Sequence, residues 1–408
     1  MQQLHIKKFG GTSVGSIERI ETVADRLSKD KAKGESPLVV LSAMSGETNR
    51  LIKLAKQIHP YSRCSAYDML LASGEQVSVA LLALALKKRN IKATPLLAHQ
   101  VGIKTDNLFS KARIQKIKTE PINQCLKKKS IPLVAGFQGV TNGNTITTLG
   151  RGGSDTTAVA LAVAFKQKQC EIFTDVPKVY TADPRLISEA SQISLLSFEE
   201  MMEMSFLGSS VLHYRSVEIA AKYKIKIHVR STFEDKKGTW IVPKEDFMET
   251  PLVSAVTHVM NTVIIKMFTI PSGTKFITDL FDILAKANIS VDVISQSYHK
   301  EGQRLAFSIN EEDLEQTKKI LSNIIDLKKI NFIKNQVKLS IVGVGMATNP
   351  GVAARFFKAL HKAKVDIHLV TTSEIKISVI IDTKYLLPAA KALHKEFKLE
   401  NSNTKNIY

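Results

Sequence analysis

Cysteine, tryptophan and aromatic residues are all scarce in this 408-residue chain: three cysteines, one tryptophan and 6% aromatics in total. Cys64, Cys125 and Cys170 lie far apart with no CxxC pair. That excludes a disulfide scaffold and fits a reduced, cytoplasmic location. No run approaches eighteen uninterrupted apolar residues, and Met1 leads straight into a strand-like pattern. Neither a membrane span nor a secretory leader is expected. The spacing GxxxxGK followed by Ser or Thr is missing, which removes a P-loop nucleotidase. HExxH is missing too, and the ten histidines are scattered, so a structural zinc is not expected. His213 and His228 read as packing or surface residues. Acidic residues are outnumbered, 38 against 57 basic ones, for a net charge of +19. The lysines are spread along the chain, as in SKDKAKG and LKKKS, without interleaved aromatics. The charge therefore favours anionic small molecules over nucleic acid.

What is present begins with alternation. IKKF and PLVVLSA read as strands, Asp68 to Lys88 as a helix, and IPLVAGFQGV as a strand. TTAVALAVAF is then a buried helix, EIFTDV a strand, Glu199 to Lys222 helical, and IKIHV the closing strand. Strands alternating with helices of ten or more residues predict an α/β domain with a mostly parallel sheet covered on both faces. Gly238, Pro243 and KEDFMET mark its end, giving a first domain over residues 1–245.

Beyond that point the chain repeats itself. FDILAKANISVDVISQS (Phe281 to Ser297) aligns without gaps on FKALHKAKVDIHLVTTS (Phe357 to Ser373) at an offset of 76 residues, with five identities. Each copy is flanked by strands and followed by a helix. Two βαββαβ modules are predicted, at 254–330 and 336–403, with a regulatory or dimerising role. GVGMATNPG, which opens the second module, faintly resembles a dinucleotide fingerprint, but its third glycine is off-register and a ligand or interface turn is expected.

Two glycine turns carry the chemistry. In IKKFGGTSVGS, Lys8 ends the first strand, Gly10 and Gly11 let the backbone approach a ligand, and Ser13 and Ser16 are cap candidates. TLGRGGSDTTA by itself could be only a tight strand-to-helix turn. Here it also carries Arg151, able to clamp a carboxylate or phosphate, and Ser154 or Asp155, able to cap a helix beginning near Thr156. Asp155 is expected to orient Arg151 or to approach a metal ion. Glu75 sits inside an apolar helix, where a charge needs a partner or a path to solvent. Ligands collect at the carboxyl ends of parallel strands, so the two turns are expected to converge. Glycines, hydroxyls, one Lys and one Arg suit phosphoryl transfer, which needs alignment and stabilisation of spreading negative charge.

KFGGTS, SGETN, SGE, GRGGSD and TDVPKVYTADPR occur in that order, followed by MMEMSFLGSSVLH. The set resembles bacterial aspartate kinases of the amino-acid kinase superfamily, and the C-terminal modules are similar to paired ACT domains. The resemblance implies an amino-acid-kinase-like three-layer αβα sandwich followed by two α+β ACT-like modules. It implies ATP-dependent phosphorylation of the side-chain carboxylate of L-aspartate, opening lysine, threonine and methionine biosynthesis, with ATP and Mg²⁺. On this basis Lys8, Arg151 and Asp155 are catalytic. Lys8, Gly10, Gly11, Ser13, Gly152 and Gly153 surround the phosphates. Thr48, Glu75, Arg151 and Ser154 hold aspartate, with Glu75 on its ammonium group. Thr174, Asp175, Tyr180, Asp183 and Arg185 form the nucleotide wall, and no cluster of protein ligands for a metal is expected. Lysine or threonine would act as effector near Asp279, Asn288, Ile289 and Gln296. A homo-oligomer through the ACT domains is implied, or pairing with a shorter subunit matching the C-terminal half, for which Met248 and Met260 are conceivable starts.

The chain departs from the family pattern in three places. Pro177 and Lys178 replace Asp-Gly, Tyr214 replaces proline after LH, and Thr274 and Lys275 stand where the second module has Pro350 and Gly351. Two other readings stay open at this point: a kinase of another carboxylate such as glutamate, and a weakly catalytic effector-binding subunit.

Overall fold

A computed structural model describes residues 4–59, 63–208, 211–247, 251–271, 273–299 and 302–401. Eight strands form the main sheet: β1 (Leu4–Phe9), β2 (Ser36–Leu41), β3 (Ala93–Leu96), β4 (Ile131–Ala135), β5 (Gln169–Thr174), β6 (Leu195–Ser197), β7 (Lys226–Ser231) and β8 (Thr239–Val242). Their order is β6-β8-β7-β5-β1-β2-β4-β3. All pairings are parallel except β7 with β8.

Because strand side chains alternate, β2 sends Val39 and Leu41 to one layer and Leu38 and Val40 to the other. On the first face lie α1 (Ile17–Ala32) and α3 (Ser65–Lys88), with α2 (Glu47–Ile58) beside α3. On the second lie α4 (Gly153–Ala164), α5 (Phe198–Phe206) and α6 (Tyr214–Tyr223). The same alternation separates the two lysines of β1. Lys7 turns to the first face and is buried against Asp30 at 2.8 Å and Glu35 at 2.6 Å. Lys8 turns to the second.

Two predicted elements are divided. IPLVAGFQGV breaks at Gly136 and Phe137, and residues 138–140 join a small four-stranded sheet with 104–105, 114–116 and 146–148. Glu199 to Lys222 is two helices, α5 and α6. By length and composition α3 could cross a membrane. In the fold it lies across the sheet, with Val79, Leu82 and Leu86 in the core and the buried carboxylates of Asp68 and Glu75 along it.

The C-terminal half is one six-stranded antiparallel sheet. Its strands are β9 (Ala255–Ile270), β10 (Ile294–His299), β11 (Gly302–Asn310), β12 (Ile330–Val342), β13 (Leu369–Ser373) and β14 (Lys376–Asp382), in the order β10-β11-β9-β12-β14-β13. Helices α7 (Thr274–Lys286) and α8 (Leu314–Ser322) cover one end, and α9 (Val352–Lys362) and α10 (Leu386–Glu396) the other. The strand pairing departs from a serial division at 254–330 and 336–403. Ala255–Val259 pairs with Lys338–Val342, whereas Ile264–Met267 pairs with Ile330–Ile333. Val253 and Val256 accordingly pack in the second unit's core. One long strand therefore serves both units.

Each regulatory unit has a glycine just before its first helix. Gly273 precedes α7 with φ +98°, and Gly351 precedes α9 with φ +93°. The first-unit helix begins earlier relative to its core, and its preceding glycine has an extended ψ of 174° where Gly351 has −6°. Gly343 and Gly345 of the faint fingerprint have no room for a side chain. A Cβ on either would fall 2.5 or 2.6 Å from the carbonyl oxygens of Leu252 and Pro251. That turn is an interface with the linker.

The junction between the halves rests on a residue that the sequence reading passed over. Glu200 on α5 is fully buried and accepts from the backbone N–H and hydroxyl of Ser197, the hydroxyl of Ser254 and the N–H of Val344. Ala255 and Val342 join the core beside Met201 and Met204.

Candidate active site

The carboxyl ends of β1, β2, β4, β5 and β7 are drawn together by backbone contacts. Gly10 N–H donates to Phe173 O at 3.1 Å, and Ser45 N–H to Gly11 O at 3.1 Å. A Cβ on Gly11 would lie 2.8 Å from Ala43 O, and one on Gly136 2.8 Å from Ser154 Cβ. These glycines hold the loops closer than any side chain would allow. Ser13 is a staple within this arrangement. Its hydroxyl lies 2.6 Å from Thr232 Oγ1 and its N–H donates to Gly10 O, so it shapes the turn. Ser16 does cap α1, accepting from Arg19 N–H.

The second glycine turn reaches the same place. Lys8 Nζ lies 2.5 Å from Asp155 Oδ1, and both side chains are about a tenth exposed. Asp155 thus pairs with Lys8 and not with Arg151, the partner in the first of its two expected roles; the second is an approach to a metal ion. The helix also begins earlier than predicted: Gly152, with φ +64°, is the N-cap of α4. Ser154 and Asp155 therefore sit in the first turn, where an acidic side chain also favours the helix dipole. Gly152 is forced by its neighbour, since a Cβ there would lie 2.0 Å from His213 Cβ. His213 caps α6, and burial lowers its pKa, which the nearby Asp155 partly offsets. It packs as expected. His228 likewise stacks on Trp240 with ring centroids 3.9 Å apart.

Arg151 is exposed, and no carboxylate pairs with it among the described residues. It lines a cleft of about 1600 Å³ with His213, Arg215, Arg113 and Lys111, bounded across by Lys286 and Asn288 of the first regulatory unit. Glu75 is 3% exposed; one oxygen accepts from Ala43 N–H at 3.0 Å and the other has no partner. Burial pushes its pKa up to about 8, against the lowering effect of the Ala43 bond. Thr48 is half-buried in the first turn of α2, one residue after Glu47, whose Cγ would lie 3.5 Å from a Cβ on Gly74. Asp68, two turns before Glu75, was not singled out from sequence. It accepts from Ser110 N–H and hydroxyl at 2.9 Å and from Thr148 N–H at 2.6 Å. It anchors the strand that leads into the Gly150 turn. An acid in an otherwise apolar helix was its signal, as it was for Glu75.

Thr174 ends β5, its hydroxyl donating to Asp175 at 3.0 Å. Tyr180 Oη accepts from Gln192. Asp183 grips Arg185 through Nε and Nη2, leaving the arginine side chain 89% exposed. Nothing links these two directly to Lys8 among the described residues. Between them and Tyr180, Thr181 is tied to the regulatory half through His394 Nε2 at 3.0 Å and Val256 N–H at 2.7 Å.

Comparison with known proteins decides the family. Residues 4–231 match the amino acid kinase family and residues 339–397 the ACT domain. An aspartate kinase of Pseudomonas fluorescens is 44% identical over 406 residues, covering 97% of this chain and 98% of that protein. This chain belongs to the aspartate kinase family. The aspartokinase of Geobacillus stearothermophilus is 43% identical, with 97% of each chain covered. The fold matches that of E. coli aspartokinase III, crystallised with aspartate and ADP, at a TM-score of 0.79 and 24% identity over 97% of this chain and 99% of that one.

Against the aspartate kinase pattern, the departure at Pro177 and Lys178 is locally absorbed. Lys178 Nζ donates to Ser194 Oγ at 3.0 Å, and burial lowers its pKa. Of the effector candidates, Asp279, Asn288 and Gln296 are exposed, whereas the Ile289 side chain is packed in the first-unit core. Asn288 has φ +58° and accepts from Arg63 of the catalytic half. Met248 lies outside the described residues.

Proposed function

We propose that the two glycine turns seat the triphosphate of ATP beside L-aspartate, and that the Lys8–Asp155 contact marks where the phosphoryl group passes. The substrate's side-chain carboxylate attacks the γ-phosphorus, the bond to the β,γ-bridging oxygen breaks, and ADP leaves as 4-phospho-L-aspartate forms. No base is required, because that carboxylate is already ionised near neutral pH. Lys8 stabilises charge on the transferring group. Gly10, Gly11, Gly152 and Gly153 admit the phosphates to bare backbone, and the head of α4 adds its free N–H groups. Thr174, Asp175, Tyr180, Asp183 and the exposed guanidinium of Arg185 form the nucleotide wall.

Arg151 clamps the substrate's α-carboxylate. Thr48 and Ser154 border the same seat, and the unpartnered oxygen of Glu75 receives the α-ammonium. The residues fit a magnesium nucleotide: a buried lysine and close-approach glycines meet the phosphates, and the carboxylates of Asp155 and Asp175 stand nearby. Asp155 and Asp175 would stand beside a Mg²⁺ ion, which would supply neutralisation of part of the phosphate charge.

Regulation by lysine or threonine through the first ACT unit, assembly through the ACT sheets, with a second copy or a shorter C-terminal chain, and a cytoplasmic setting complete the reading. Cys64, Cys125 and Cys170 are free thiols, consistent with that setting. The test is ADP release with Mg-ATP and L-aspartate against L-glutamate, with and without lysine or threonine. Preference for glutamate overturns the substrate assignment.

A further inference from the structure

Tyr214 stands where the family pattern has proline, and its ring meets Phe206 edge-on with centroids 6.5 Å apart. Phe206 ends α5, and two ammonium groups of the regulatory sheet lie over it. Lys338 Nζ is 5.6 Å and Lys376 Nζ 5.9 Å from its centroid. Lys338 is 3% exposed and also pairs with Asp292, in the turn between α7 and β10. Lys376 pairs with Glu203 on α5 at 2.9 Å. Both regulatory units therefore bear on the end of α5, the first through Asp292 and the second through the two lysines.

The residues on either side of Tyr214 hold the turn that carries Arg151. Arg215 donates from Nη1 to Leu149 O at 2.9 Å and from Nη2 to Ala112 O at 2.8 Å. His213 occupies the space over Gly152. The run His213–Arg215 thus touches the Arg151 turn with its outer members and Phe206 with its middle one. Phe206 is 59% and Tyr214 41% exposed. Ring and cation–π contacts at such sites are individually modest, so this link can change seat without unfolding either half.

We propose that Tyr214 is a positioning residue, coupling the seat of Phe206 on the regulatory sheet to the placement of Arg151. The inference rests on reading Arg151 as the clamp on aspartate. Coupling through packed neighbours changes affinity measurably when a link is removed.

Tyr214→Ala is expected to raise the KM for L-aspartate roughly three- to thirtyfold while kcat stays within about twofold. Tyr214→Phe should behave as the parent, because the ring makes the contact. Phe206→Ala should reproduce the rise, and the double variant should be no worse than either single one. A normal KM in Tyr214→Ala, additive effects in the double variant, or an equal defect in Tyr214→Phe overturns the proposal. Should Tyr214→Ala fail to fold, Phe206→Ala and Lys338→Met carry the test, and a normal KM in both, with circular dichroism showing native structure, overturns it. Arg151→Ala run alongside separates the two readings. Unchanged aspartate KM there removes the clamp itself, whereas a raised KM beside a normal Tyr214→Ala removes only the coupling.

Discussion

Lys8 and Asp155, 147 positions apart in sequence, meet at 2.5 Å in a setting that leaves each side chain about a tenth exposed. A buried pair of this kind makes each partner depend on the other. Removing one leaves an uncompensated charge, at about 3–5 kcal/mol, although the intact pair adds little net stability.

Lys8→Met should therefore damage both turnover and stability. We expect kcat to fall about 100-fold or more, together with a clear drop in melting temperature. Asp155→Asn in the same chain should recover much of the melting temperature and none of the turnover. Thermal unfolding and steady-state kinetics on the two variants test this, and a Lys8→Met protein as stable as the parent contradicts the pairing.

Arg151 predicts the opposite separation. It is exposed and pairs with no carboxylate among the described residues, so Arg151→Ala should leave the melting temperature unchanged. Loss of the proposed bidentate clamp should lower kcat/KM for aspartate about 30- to 200-fold, or about 2–3 kcal/mol. Arg151→Lys, which keeps the charge but not the fork, should recover only part of that loss.

With Glu75 as the proposed seat of the α-ammonium, aspartate binding should depend on pH. With its pKa raised to about 8, it is protonated at neutral pH in the free protein. An ammonium group calls for the ionised form. Affinity for aspartate should accordingly strengthen as pH rises toward about 8, with a proton released on binding below that point. Isothermal titration in buffers of different ionisation enthalpy measures the proton, and Glu75→Gln should abolish its release.

The same group fixes the sign of a stability effect. Between its ordinary value of 4.5 and about 8, the native state holds a proton that the unfolded chain has lost. This contribution is fully present below about 4.5 and falls by at most about 1.4 kcal/mol per pH unit as pH rises through that window. Glu75→Gln should flatten the dependence, which denaturant melts at several pH values would show.

Gly152 and Gly351 separate steric from backbone effects. Both have positive φ, but a Cβ on Gly152 meets His213 at 2.0 Å, while Gly351 has open space. Gly351→Ala should cost about 1 kcal/mol from backbone conformation alone. Gly152→Ala should cost about 2 kcal/mol or more and should raise the aspartate KM by displacing Arg151. Equal melting temperatures for the two variants would argue against this geometry.

The two glycine turns of the candidate site were legible because their signals are local. Two glycines after a strand, or three around an arginine before an apolar run, announce close backbone approach whatever surrounds them. The carboxylate that meets Lys8 was not legible, since nothing near Asp155 in sequence distinguishes Lys8 from Arg151 as its partner. Lys7 was not singled out, and its Asp30 and Glu35 partners depend on how α1 returns to the sheet. The roles of Asp68 and Glu200 were hidden for the same reason, as their hydrogen-bond donors come from loops far along the chain. In the regulatory half the 76-residue repeat revealed two units. It could not show that their strands interlock, because polar residues such as His258, Asn261 and Lys266 interrupt AVTHVMNTVIIKMFTI and hide a single strand shared by both units.

That interlocking strand limits where the polypeptide can be severed. A fragment starting at Met260 would lack Ala255–Val259, exposing one edge of Lys338–Val342 to solvent and stripping Val253 and Val256 from the second unit's interior. Such a product would be open to edge-to-edge aggregation, whereas one that retains residue 251 onward keeps every rung of that ladder.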